Sequence, residues 1–244
     1  MRNLKLTIAY DGTEFHGWQS QPGMSTVQGE LEIALSRLFN HEVAVNGSGR
    51  TDAGVHAIGQ VANVRTIRTM NTGSVLKGSN GLLPAGIRVL EVEEADETFH
   101  ARLSARSKTY EYHIWRKHIV SPFLCRYVYK YPYAMNSDAV DLAGARLLGT
   151  HDFTSFCAKD TVIENRVRTI FDVQWRRAED EWIFSIKGSG FLQRMVRTIV
   201  GTLLYVGQGR LREDCIPAIL AAKDRNLAGP SVPAKGLHLV RVEY

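Results

Sequence analysis

The chain has 244 residues, 44% of them apolar and 23% charged, and carries a formal net charge of +5 with a sequence pI near 9.1. Such a chain can bury a real core, as one large domain or two of roughly 100 to 120 residues each, and disorder is excluded. Its longest apolar stretch, residues 191–206, is interrupted by Arg194 and Arg197, and Met1-Arg2-Asn3-Leu4-Lys5 turns polar too soon for a signal sequence, so the expectation is a soluble, cytoplasmic protein with no membrane partner.

Leu4, Leu6, Ile8 and Tyr10 alternate with Lys5, Thr7 and Ala9 and predict a strand. Apolar residues at Val27, Leu31, Ala34, Leu35 and Leu38 predict a helix over 26–38. Short strands are expected at 43–46 and 58–65, a weak helix at 72–81 and a strand at 87–92, completing β-α-β-β-α-β. The second part repeats the theme. A strand is expected at 108–115, a helix at 138–148, a hairpin pairing 170–175 with 182–186, helices at 191–206 and 213–222, and a last strand at 237–242. The predicted fold class is therefore α/β, or α+β, with two ferredoxin-like halves, 1–105 and 106–244, joined near 98–107.

Between the strands expected at 43–46 and 58–65 runs Gly47-Ser48-Gly49-Arg50-Thr51-Asp52-Ala53-Gly54-Val55-His56. Three glycines in eight residues permit positive φ and close backbone approach, so the loop can present Asp52 to a bulky ligand. Arg50, two residues away, would keep that carboxylate ionised, which suits a nucleophile or a proton acceptor better than a general acid. The plain alternative is an Asx-turn or helix-cap aspartate. The loop lacks the endings of a phosphate-binding loop or a dinucleotide turn.

The basic residues cluster: Arg65 and Arg68; Arg102, Arg106 and Lys108; Arg116-Lys117-His118; Arg166 and Arg168; Arg176-Arg177. With aromatics nearby, this pattern suits phosphate contacts and base stacking, although any single cluster can be a solvated face. At 3.6 residues per turn Arg197 falls about 20° from Leu204 at the edge of an apolar arc, a place for a charge at the rim of a cleft or for a snorkelling arginine. Tyr110 and Tyr112 share one side of their strand, as site residues or as sheet packing. The eight histidines form no helical pair at ligand spacing, and Cys125, Cys157 and Cys215 are far apart, so no metal, disulfide framework or zinc knuckle is assigned.

Four ordered segments carry a resemblance. They are Tyr10-Asp11-Gly12 through Phe15-His-Gly-Trp18-Gln19 with Gly47 to Ala57; Phe99-His-Ala-Arg102 through Lys108-Thr-Tyr110-Glu-Tyr112; His151-Asp152-Phe153; and Gly190 to Gly201 with the ending Gly236-Leu237 to Tyr244. Together they resemble the TruA family of tRNA pseudouridine synthases over essentially the whole chain. Ser79-Asn80 and Val232 before Pro233 fit that pattern loosely. The resemblance implies two α/β halves with a basic cleft between their sheets, a homodimer, no cofactor, and isomerisation of uridines 38, 39 and 40 of the tRNA anticodon stem-loop. It further implies that Asp52 is the catalytic aspartate, that Arg197 pairs with it, that Tyr110 lies against the target uracil, and that Arg50 moves toward the space the base vacates.

Two other classes compete. A non-catalytic RNA-binding module would share the basic clusters and tyrosines but would not need an anionic side chain in a site built for a polyanion. A carboxylate hydrolase would want a second acid beside the first, and Asp52 is the only acid in its loop.

Overall fold

A computed structural model describes residues 1–159, 161 and 163–244. The chain divides into two compact units, residues 1–106 with 238–244, and residues 107–237.

The first unit runs β1 (Arg2–Tyr10), α1 (Val27–Phe39), β2 (Val45–Gly47), β3 (His56–Thr66), α2 (Thr72–Leu82) and β4 (Ile87–Ala95). Alternation on β1 buries Leu4, Leu6 and Ile8 completely, which is why this strand takes the centre. It pairs antiparallel with β3 on one side and β4 on the other, and β2 lies antiparallel on the far side of β3. The order β4-β1-β3-β2 is the ferredoxin-like one. Thr26 caps α1 by accepting from Gly29 N, and Asn40 ends it in the left-handed region at φ 56°. The side chain of Asn80 bonds both Val89 N (2.9 Å) and Val89 O (2.7 Å), tying the end of α2 to β4.

The second unit contains β5 (Ser107–Trp115), β6 (Tyr129–Lys130), α3 (Ser137–Ala145), β7 (Gly149–Asp152), β8 (Val167–Arg177), β9 (Glu181–Gly188), α4 (Met195–Gly207) and α5 (Cys215–Ala222). Its sheet runs β5-β9-β8-β7, all antiparallel, with β6 parallel to β5. α3 and α4 approach closely enough that a Cβ on Gly207 would lie 2.8 Å from Val140 Cγ2. The final strand, β10 (Leu237–Glu243), expected to close the second half, groups with the first unit and pairs in parallel with the start of β3 through His238↔His56 and Leu239↔Ala57. Here a Cβ on Gly59 would meet Val240 O at 2.3 Å.

The helices expected at 191–206 and 138–148 shift. α4 begins at Met195, not at 191, because Arg194 adopts φ 61° and the chain enters the helix through a turn closed by Met195 N to Leu192 O. α3 stops at Ala145, and Gly149 at φ 101° redirects the chain into β7. β6 and β7 have no counterpart among the expected strands, being two and four residues long without apolar alternation. Among the described residues no helix is long and apolar enough to cross a membrane.

Candidate active site

The glycine loop spans from the end of β2 to the start of β3, and hydrogen bonds fix it residue by residue. Ser48 N donates to Val61 O (2.7 Å), Ser48 Oγ bonds Gln60 Oε1 (2.6 Å), and Gln60 Nε2 donates to Gly49 O (2.9 Å). Thr51 is held from both sides: its hydroxyl lies 2.8 Å from Tyr10 OH, and its carbonyl accepts from Trp18 N at 3.1 Å. Burial pushes the Tyr10 phenol up to about 12, although Thr51 and Gln60 pull the other way, so its proton stays in place. Val55 N donates to Asp52 O (3.1 Å), closing a turn in which Gly54 has φ 76°. The backbone of Asp52 is thus anchored before and after it, while its side chain is half-buried.

A second segment forms the bed of this loop. A Cβ on Gly12 would fall 2.0 Å from Val55 O, and Gly17, at φ 90°, would place one 2.7 Å from Thr51 O. A Cβ on Gly47 would enter the indole of the buried Trp18 at 2.4 Å. Hence Gly12, Gly17 and Trp18 are glycines and an aromatic that the loop itself demands. Gly12 N donates to His56 Nδ1 at 3.1 Å. Asp11 Oδ1 approaches the same nitrogen at 3.2 Å. His56 is buried and stacks on His238 with ring centroids 4.8 Å apart. Arg50 is exposed, and no ion pair joins it to Asp52 among the described residues, which removes the expected role of Arg50 as the group that keeps Asp52 ionised.

Tyr110 and Arg197 lie in the second unit. Tyr110, on β5, is 6% exposed and meets Phe191 edge to face at 5.1 Å. Tyr112, two residues on, is fully buried, which raises its phenol far above the ordinary range, and it donates to Pro233 O at 2.7 Å. Arg197, half-buried in the first turn of α4, donates from Nε to Val232 O at 2.8 Å. That carbonyl belongs to a strap, residues 229–233, laid against the helix. Gly229 N donates to Thr202 Oγ1 (2.9 Å), Val232 N to Arg197 O (3.3 Å), and a Cβ on Gly201 would sit 1.7 Å from Pro230 O. The α4 first turn holds no acidic residue, so a guanidinium stands at the positive end of a helix, an arrangement that favours an anion beside it. The loosely matching Val232 therefore holds the candidate arginine, a role its backbone plays and its side-chain identity conceals.

Several arginine clusters serve the fold first. Arg116 bonds the carbonyls of Tyr131 and Tyr133 and lies over Trp182; Arg176 and Arg177 pair with Glu111 and Asp141; Arg65 donates to Glu97 O. Arg102 and Arg106 are exposed and make no side-chain hydrogen bond or ion pair among the described residues, leaving them better suited to phosphate. The His151-Asp152-Phe153 signature is structural too: Asp152 accepts from Thr154 N and Oγ1 and pairs with Lys223 at 2.9 Å. No group of three or more His, Cys, Asp or Glu among the described residues could hold a metal ion.

Residues 6–103 and 143–244 match the sequence family described as tRNA pseudouridine synthase. A tRNA pseudouridine synthase A of Geobacillus kaustophilus (strain HTA426) is 48% identical over 100% of this chain and 95% of its own length. That of Bacillus pumilus (strain SAFR-032) is 44% identical over 99% of this chain and 98% of its own. With both signatures of the glycine loop and of the α4 arginine inside the matched segments, the chain belongs to the tRNA pseudouridine synthase family.

Proposed function

We propose that this chain converts uridine to pseudouridine at positions 38, 39 and 40 of the tRNA anticodon stem-loop, acting as a homodimer in the cytoplasm, with Asp52 as its catalytic carboxylate. Membership of the family makes it an isomerase. The N1–C1′ bond breaks, the uracil turns, C5 bonds to C1′, and the proton lost from C5 is balanced by one gained at N1. Atoms and electrons are conserved, so the reaction draws on no cofactor. The target base must leave the stack, at a cost of a few kcal/mol.

Asp52 then attacks C1′ or removes the C2′ proton, and Tyr110, stacked on the flipped uracil, assists loss of the C5 proton. Arg197 pairs with Asp52 and holds it ionised, and Arg50 moves toward the space the base vacates. The observation that carries this reading is the fixing of the Asp52 backbone on both sides by Tyr10, Trp18 and Val55. A carboxylate needed only as a turn cap would not require a bed of two glycines. Arg197, in the first turn of α4, is oriented by its Nε bond to Val232 O.

The test is incubation with tRNA labelled in uridine, followed by nucleoside analysis. Pseudouridine is the expected product; unchanged uridine would make the chain a binding module, and released uracil a hydrolase. Transcripts altered singly at 38, 39 and 40 should each lose only the altered site.

A further inference from the structure

The stripe of α4 that carries Arg197 continues through Gly201, Leu204, Tyr205 and Gln208, and beyond Val232 it opens on a pocket of about 310 Å³ within the second unit. That volume lies at the low end of ordinary ligand pockets, roughly 300 to 1,000 Å³. The pocket begins beside the arginine at Gly201 and Val232 and extends to Gln208, eleven residues and about 16 Å from Arg197 along the helix axis; neither Tyr110 nor Phe191 lines it.

Its walls are aromatic. Tyr129, Tyr131, Tyr133 and Tyr205 all line it; the rings of Tyr131 and Tyr133 meet edge to face at 5.0 Å, and those of Tyr129 and Tyr131 lie 5.7 Å apart. Burial raises the Tyr129 and Tyr131 phenols, that of Tyr131 to about 12, so these walls stay neutral. Arg210, exposed at the rim, lies 5.1 Å over the Tyr205 ring. Gln208 also lines the pocket, and its Oε1 is buried with no hydrogen-bond partner among the described residues. A buried amide oxygen with no donor costs free energy until one reaches it.

Stacking faces, one acceptor without a donor and a cation at the mouth describe a planar ligand with a ring N–H and an attached phosphate. We propose that this pocket binds one unpaired nucleotide of the RNA other than the uridine being modified, its base against the tyrosines, its N–H on Gln208 Oε1 and its phosphate on Arg210. The proposal rests on the reading of the chain as a tRNA-modifying enzyme. Because the strap residue Val232 both lines the pocket and holds Arg197, one RNA strand can be gripped on either side of a single carbonyl.

The test uses the full chain with Tyr133→Ala and Arg210→Ala singly and combined, since Tyr133 is 58% exposed and neither residue belongs to the proposed chemistry. Loss of one stacked base weakens binding by about 1 to 3 kcal/mol, or roughly 5- to 150-fold. The double variant should lose tRNA affinity within that range while the single-turnover rate at saturating tRNA stays within about twofold. With p-azidophenylalanine at Tyr133, photocrosslinking should mark one unpaired nucleotide distinct from the modified uridine. Unchanged affinity, a crosslink to the modified uridine, or an affinity loss that tracks dissociation of a dimer in light scattering would overturn it. Saturable binding of a free mononucleotide that survives excess tRNA would also overturn it, by assigning the pocket to a small metabolite. Pseudouridine formation by the unaltered chain, measured alongside, separates failure of this proposal from failure of the functional reading.

Discussion

The two units hold their key side chains by opposite means. In the first, Asp52 stands on a loop whose bed is backbone pressed on backbone: Gly12 and Gly17 have no room for a Cβ against Val55 and Thr51. In the second, Arg197 stands on a helix and its side chain bonds the Val232 carbonyl of a strap, itself seated by Thr202 and Tyr112. The contrast teaches that the carboxylate is positioned through its main chain, whereas the guanidinium is positioned through its own side chain. Substitutions in the glycine bed of the Asp52 loop should therefore damage fold and activity together. Those at Arg197 should separate the two.

The largest effect that sharpens this comparison comes from Arg197→Met, which keeps the apolar stem and loses the charge. Turnover should fall about 10²- to 10³-fold, as for loss of one preorganised charge donor, with a melting temperature within a few degrees of the unaltered chain. A fall in melting temperature as severe as the fall in rate would make Arg197 a structural residue.

Tyr110→Phe follows. The ring contact with Phe191 survives, so tRNA affinity and stability should hold while the single-turnover rate drops by about 10²-fold, the low end of general acid-base loss. Tyr110→Ala should in addition weaken tRNA binding by about 1 to 3 kcal/mol. A silent Phe variant with an unstable Ala variant would leave Tyr110 as sheet packing.

Gly12→Ala tests the first unit. The added methyl meets Val55 O at 2.0 Å, so urea unfolding should show a loss of about 1 to 3 kcal/mol, the usual cost of overpacking, together with reduced turnover. Activity kept at full level would mean that the loop tolerates a displaced Val55 and does not need its bed.

The smallest effect concerns the second unit's own acid sensitivity. Burial works against the Asp152 carboxylate, but Lys223 and Thr154 outweigh it and set its pKa near 2. A carboxyl depressed on folding adds stability above its unfolded value near 3.8 and loses it as pH falls toward 2. The unaltered chain should accordingly lose stability between pH 4 and 2 more steeply than Asp152→Asn. Parallel curves for the two would remove Lys223 as the cause.

Sequence periodicity found the two ferredoxin-like patterns because β1 and β5 bury alternate residues and α1 repeats its apolar face every turn. It missed β6 and β7, too short to show a period, and it placed the start of α4 four residues early, since nothing in Phe191 to Arg194 announces a left-handed arginine. The aspartate loop was legible as glycine around a lone acid. Its bed was not, because Gly12 and Gly17 matter through contacts made 30 to 45 residues away along the chain. The strap was the least visible feature: Val232 acts through its carbonyl, which every residue has.

The central claim is that Asp52 performs the chemistry, and Asp52→Asn tests it most directly by keeping the shape of the side chain and removing its charge. In a single-turnover assay with tRNA held above its dissociation constant, the variant should bind tRNA as tightly as the unaltered chain, melt at a similar temperature and form no detectable pseudouridine. Substantial pseudouridine from a folded, tRNA-bound Asn variant would contradict the account.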